Sequence, residues 1–178
     1  MQNTIPNLVG WIRQEGTEIN YPIVKGDDNS YYLTHDALGK TSYSGAIFMD
    51  SLNNKFWKDD NTVLYGHNMK NSSMFGMLKH YLSDKSYIKK HPEFIIYTED
   101  SAKIYGIVSV YSMKYGNDQY KMAFNTQEEY KDFLETAKKR SEYDTGFDYD
   151  ENCPCITLTT CYSSGSKGIK TMLVLQEK

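Results

Sequence analysis

The chain has 178 residues with 20 basic and 23 acidic side chains and a net charge of −3 at pH 7, long enough to bury a core without a disulfide framework or a structural metal. The charges are mixed along the sequence, with no basic stripe for nucleic acid and no polybasic patch for a membrane surface. No apolar run approaches the roughly 20 residues of a membrane span, and residues 1–10, MQNTIPNLVG, lack the charged and apolar regions of a signal peptide.

Taken in chain order, LVGWI and INYPIV read as two short strands around a turn at Glu15, Gly16 and Thr17, followed by GAIFMD and NTVLYG as two more. Near Met74 to Leu82 a stripe of Met74, Met77, Leu78 and Tyr81 predicts a short helix packed on the core. FIIYT and KIYGIVSVY flank the polar turn of Glu99, Asp100 and Ser101 as a hairpin. The spacing of Tyr130, Phe133, Leu134 and Ala137 predicts a helix over Gln127 to Arg140, with Thr126 and Glu129 as its capping box. The acidic DYDEN stretch, residues 148–152, reads as a solvated loop. CITLTT and IKTMLVLQ complete eight strands, which fit an antiparallel barrel or sandwich. The 16 tyrosines suit such pleated surfaces. No repeat, low-complexity segment or linker divides the chain, so one domain over residues 1–178 is expected.

The three cysteines, Cys153, Cys155 and Cys161, match neither a disulfide framework nor a common zinc spacing. Read as a strand, CPCITLTTC sends all three to one face and Ile156 and Leu158 to the other. At about 3.3 Å per residue Cys155 and Cys161 are roughly 20 Å apart, beyond the roughly 7 Å between Cα atoms that a disulfide spans. Most free cysteines are small buried hydrophobes. Cys161, however, ends its strand at a Gly/Ser-rich loop and on the face away from Ile156 and Leu158, where a thiol is expected to be reachable and can serve as a nucleophile if a base or charge activates it. Of the four histidines, His67 in NTVLYGHNMKN is the best placed, in a loop opened by Gly66 after a strand. His35, His80 and His91 read as surface or turn residues.

Several of these stretches, LVGWIRQEGTEINYPIVKG, YYLTHD, SGAIFMD, NTVLYGHNM and ITLTTC in that order, resemble a class B sortase over nearly the whole chain. The resemblance implies a mainly β fold with added helices: a closed eight-stranded barrel, an N-terminal helical segment, and a helix just before the cysteine strand. It also implies an enzyme held outside a Gram-positive cell by a membrane anchor preceding this sequence. The implied reaction is transpeptidation at an Asn-Pro-x-Thr type sorting signal. Cys161 forms a thioester with the threonine, and His67 protonates the departing amine and later deprotonates the amine of a cell-wall peptide. The implied partners are therefore a sorting-signal peptide and a peptidoglycan amine. No cofactor and no metal are called for.

The family pattern has an arginine at the start of the strand after the cysteine, and this sequence has none there; its two arginines are Arg13 and Arg140. The corresponding stretch reads GSKGIKTMLV, with Thr171 or a neighbour at the expected place and Lys167 and Lys170 as nearby cations. Lysine keeps the charge but lacks the planar fork of arginine. Candidates for the oxyanion or substrate-positioning role are Thr159, Thr160, Lys170 and Thr171, together with backbone N–H groups beside Cys161. The alternative reading is a weak or inactive barrel that binds peptides or proteins.

Overall fold

The computed structural model describes residues 5–114, 116, 120–161 and 168–178. Eight strands, β1 (Leu8–Arg13), β2 (Asn20–Lys25), β3 (Ile47–Met49), β4 (Asn61–His67), β5 (Glu93–Tyr97), β6 (Ala102–Lys114), β7 (Cys155–Cys161) and β8 (Ile169–Glu177), close into a barrel in the order β1-β2-β3-β4-β7-β8-β6-β5. All eight strands expected from the sequence are present. The expectation of an antiparallel sheet needs correction, because β2 pairs with β3 and β4 with β7 in parallel. A parallel pair needs a long crossover between its strands, and here residues 26–46 and 68–154 supply the two crossovers. Of the expected N-terminal helical segment, residues 5–7 show no helix before β1, and residues 1–4 lie outside the described residues.

The expected Met74–Leu82 helix begins later and as a tighter coil, a 3₁₀ turn at Gly76–Leu78 running into α1 (Lys79–Ser83), with α2 (Tyr87–Lys90) after it. Met74 itself adopts a positive φ of 54° before the turn. The longest helix, α3 (Gln127–Arg140), follows the sequence expectation. Thr126 Oγ1 accepts from Glu129 N at 3.2 Å, and the Glu129 carboxylate reaches back to Asn125 N at 3.1 Å, which satisfies two backbone donors at the helix entrance. Basic side chains in the last turn, Lys138, Lys139 and Arg140, oppose the negative end of its dipole.

Alternation along the strands sorts the apolar residues into an inner and an outer set. Ile12, Ile23, Ile47, Leu64, Phe94, Ile156, Leu158 and Leu173 fill the barrel. Outside it, Tyr130, Leu134 and Ala137 of α3 pack on Val108, Cys155, Met172 and Val174. A third cluster, with Tyr32, Phe48, Tyr65 and Cys161, lies on the outer face of β3, β4 and β7.

Candidate active site

Two strand ends build the site. In the parallel ladder between β4 and β7, Tyr65 pairs with Thr159, Gly66 with Thr160 and His67 with Cys161. Partners on one rung of a parallel ladder present their side chains to the same face, about 4.8 Å apart from strand to strand. His67 and Cys161 are thus immediate neighbours on the outer face. His67 is the last residue of β4 rather than part of a loop after it. Gly66 has a packing reason: a Cβ there would lie 2.4 Å from Ile47 Cδ1 and 2.7 Å from Phe75 Cγ.

The outer face is not an open one. Cys161 is only 7% exposed, and Thr157 and Thr159 of the same strand are buried as well. The inference that facing away from Ile156 and Leu158 means facing solvent fails because a second layer, including Tyr120 and Met122, covers this side of the sheet. Tyr120 Oη lies 3.2 Å from Thr159 Oγ1, 4.0 Å from Met172 Sδ and 3.4 Å from Lys170 Nζ.

His67 is oriented from a distant segment. Its Nε2 lies 2.7 Å from the carbonyl oxygen of Leu33, in a 3₁₀ turn at Tyr31–Leu33. A carbonyl only accepts, so Nε2 donates and carries the ring proton, and Nδ1 presents the lone pair. The other histidines are held elsewhere. His35 Nδ1 lies 2.9 Å from Tyr31 O and its ring stacks on Tyr31; His91 Nδ1 lies 3.1 Å from Glu15 O; His80 packs against Tyr87.

The four further candidates divide between the two faces. Thr159 pairs with Met172, both packed outside the barrel with Tyr120. Alternation places Lys170 on that outer side too, where it is 4% exposed and its ammonium also lies over the Tyr120 ring at 5.7 Å. Thr160 and Thr171 take the other parity, with Leu158 and Leu173, and the Thr160 hydroxyl accepts from Thr171 N at 2.9 Å. The structure thus gathers Thr159 and Lys170 on the face of Cys161, whereas Thr160 and Thr171 tie β7 to β8 from within. Lys167 lies outside the described residues. Arg13 pairs with the exposed Glu15 at 3.5 Å. Arg140 lines a cavity of about 510 Å³ with Tyr111, Met113, Phe133 and Thr157.

Two site residues are not evident from the sequence. Tyr65 stands two positions before His67, so the period of a strand alone puts it on the same face. Burial, its hydrogen bond to Asp50 and the charge of that carboxylate hold its phenol far above the usual range, and the nearby Tyr120 and Cys161 act in the same direction. The Leu33 carbonyl is a backbone atom brought in by tertiary folding, and no residue type announces it. The remaining cysteines are of another kind. Cys155 is fully buried, and that burial pushes its thiol up to about 12; Cys153 is free and partly exposed. No group of three or more potential metal ligands occurs among the described residues.

Comparison with known proteins gives the family and the same barrel fold. A model of the sortase domain matches residues 12–176. Sortase B of Listeria monocytogenes is 34% identical over 98% of this chain and 72% of its own length. Among solved structures, the C232S mutant of Clostridium perfringens sortase B superposes with a TM-score of 0.88 at 32% identity, covering 97% of this chain and 82% of that one. A Staphylococcus aureus sortase B–substrate complex gives a TM-score of 0.89 at 29% identity, covering 97% of this chain and 80% of the other.

Proposed function

Since the chain belongs to the sortase family, cysteine transpeptidases of the Gram-positive cell surface that anchor surface proteins, we propose that residues 1–178 form one catalytic domain that cleaves an Asn-Pro-x-Thr type sorting signal and transfers the protein to an amine of peptidoglycan. The single observation that carries the assignment of roles is the shared rung of His67 and Cys161.

In this reading His67 takes the Cys161 thiol proton as the sulfur attacks the threonine carbonyl and a C–S bond forms, and the tetrahedral intermediate collapses with cleavage of the C–N bond as His67 passes that proton to the departing amine. The acceptor amine then attacks the thioester, His67 takes the proton, and the thiolate leaves. With Nε2 committed to Leu33 O, Nδ1 is the atom that exchanges the proton. Negative charge on the intermediate's oxygen falls to backbone N–H groups beside Cys161 and to the Lys170 ammonium. Thr159 and Tyr120 hold the adjoining wall. The peptide partner is supported by the substrate complex of the Staphylococcus aureus relative. The reading also includes a membrane anchor outside this sequence; no helix among the described residues is long and apolar enough to cross a membrane.

The test is a panel of fluorogenic Asn-Pro-x-Thr peptides, followed by mass spectrometry for an acyl adduct on Cys161. Cleavage should vanish in Cys161→Ala and His67→Ala and survive largely intact in Cys153→Ala, Cys155→Ala and His35→Ala. A folded wild-type protein that binds the peptides but cleaves none of them would leave the binding-module reading in place. Equal loss from all three cysteine variants, with folding intact, would reject Cys161 as the sole nucleophile.

A further inference from the structure

One buried carboxylate near the site has no part in the chemistry described above. Asp50 follows β3, is 2% exposed, and no basic side chain among the described residues lies within ion-pair distance of it. Its Oδ2 accepts from Tyr65 Oη at 2.7 Å and from Asn29 Nδ2 at 2.9 Å, and its Oδ1 accepts from Leu52 N at 2.9 Å. A buried charge is costly unless hydrogen bonds replace its hydration, and three donors converging on one carboxylate form such a replacement.

The two side chains gripped by Oδ2 belong to the two arms that position His67. Tyr65 is on β4, two residues before His67 and on the same face. Asn29 opens the segment that leads into the Tyr31–Leu33 turn, whose Leu33 carbonyl holds His67 Nε2. That segment is stiff. Asp28 Oδ1 accepts from Ser30 N at 2.7 Å and Tyr31 N at 2.8 Å, and Asn29 Oδ1 accepts from Ser51 N at 2.7 Å. The Tyr65 ring stacks on Phe48 of β3 at 5.1 Å, and Phe48 in turn meets Tyr32 of the turn at 6.3 Å. Asp50 is therefore bonded to both arms that meet at the His67 ring.

We propose that Asp50 is a positioning residue for the transpeptidation: by clamping Asn29 and Tyr65 together it holds the Leu33 carbonyl against His67 and so fixes the ring and its Nε2–H tautomer. This rests on the assignment of His67 as the acid/base. An amide in place of the carboxylate keeps the shape but has one acceptor oxygen, so at least one of the three donors is left facing an NH₂ group. A shift of the ring by a fraction of an ångström costs turnover rather than peptide affinity.

The experiment measures cleavage kinetics and the ¹⁵N signals of the His67 imidazole in Asp50→Asn, Asn29→Ala, Tyr65→Phe and the double variant Asn29→Ala/Asp50→Asn. The expected result is a fall in kcat of about tenfold in Asp50→Asn with KM within about twofold, and a loss of the Nε2–H tautomer signature. The double variant should be no worse than Asp50→Asn alone, because both changes open one clamp. An unchanged kcat and unchanged imidazole signals in folded Asp50→Asn overturn the proposal. So does a drop in kcat that accompanies wild-type imidazole signals. If Asp50→Asn does not fold, Asn29→Ala and Tyr65→Phe decide, and wild-type kcat and tautomer in both reject it. The imidazole signals separate the two readings: if the wild-type protein cleaves no peptide, the proposed function fails, while the His67 tautomer still tells whether Asp50 positions the ring.

Discussion

Replacing Lys170 by arginine tests what stands in for the missing guanidinium. Lys170 is on the face of Cys161 and its ammonium is 3.4 Å from Tyr120 Oη, a long contact for a charged donor. Arginine there would offer two parallel donors to the oxyanion in place of one mobile point charge. A charge-assisted hydrogen bond is worth about 1.5–3 kcal/mol, and fitting a larger head into a site only 4% exposed takes back about 1–3 kcal/mol. At the low end of that cost about 1 kcal/mol remains, or roughly fivefold in kcat/KM. Thr171→Arg, by contrast, forces a cation towards the barrel interior beside Leu173 and should lower Tm without raising activity. The assay is kcat/KM on a fluorogenic sorting peptide for wild type, Lys170→Arg, Lys170→Ala and Thr171→Arg, with Tm of each. Lys170→Ala should lose about tenfold, below the 10²- to 10³-fold cost of a fully preorganised donor. The reasoning is refuted if Lys170→Ala is as active as wild type, or if Thr171→Arg folds normally and is the faster of the two arginine variants.

Gly66→Ala drives a methyl group into Ile47 and Phe75; overpacking of about 1–3 kcal/mol should lower Tm by about 2–12 °C and reduce cleavage through the adjacent His67, and differential scanning fluorimetry showing no shift would sink it. Thiol alkylation at pH 8 should modify Cys161 and spare Cys155, whose burial pushes its thiol up to about 12; peptide mapping that finds Cys155 modified first contradicts this. Above pH 9 stability should decline. Cys155, Tyr105 and Tyr111, each pushed up to about 12 by burial, keep their protons when folded while the unfolded chain releases them near 9 and 10, so the stabilisation is complete below about pH 9 and lost as pH rises to 12. A Tm that is flat or rising from pH 8 to 11 would exclude these groups as the cause.

Period and punctuation make the strands and α3 legible in the sequence. Cys161 at a strand end and His67 beside Gly66 are legible for the same reason, since a two-residue period fixes which side chains share a face. What escapes are properties of connection and layering. FIIYT and KIYGIVSVY announce a hairpin through their short turn, but nothing local tells β4 to lie parallel to β7. Likewise the period places Cys161 outside the barrel, yet it is silent on the Tyr120 layer that covers it. The two groups that hold His67 in place are harder still. The Leu33 carbonyl is common to every residue type, and Asp50 looks like any polar residue after a strand until Asn29 and Tyr65 arrive on either side.

The rung shared by His67 and Cys161 also sets when this protein can first become reactive. β7 is the seventh strand of eight and is inserted between β4 and β8, so its pairing with β4 joins segments about half the chain apart, a non-local contact that costs loop-closure entropy. A chain made from its N-terminus contains Leu33, Asp50 and His67 long before Cys161 is added. The histidine is thus present ahead of its thiol, and the thiol meets it only when β7 pairs with β4. Peptide cleavage therefore reports the insertion of β7 between β4 and β8, and a protein truncated before β7 carries no Cys161 to react.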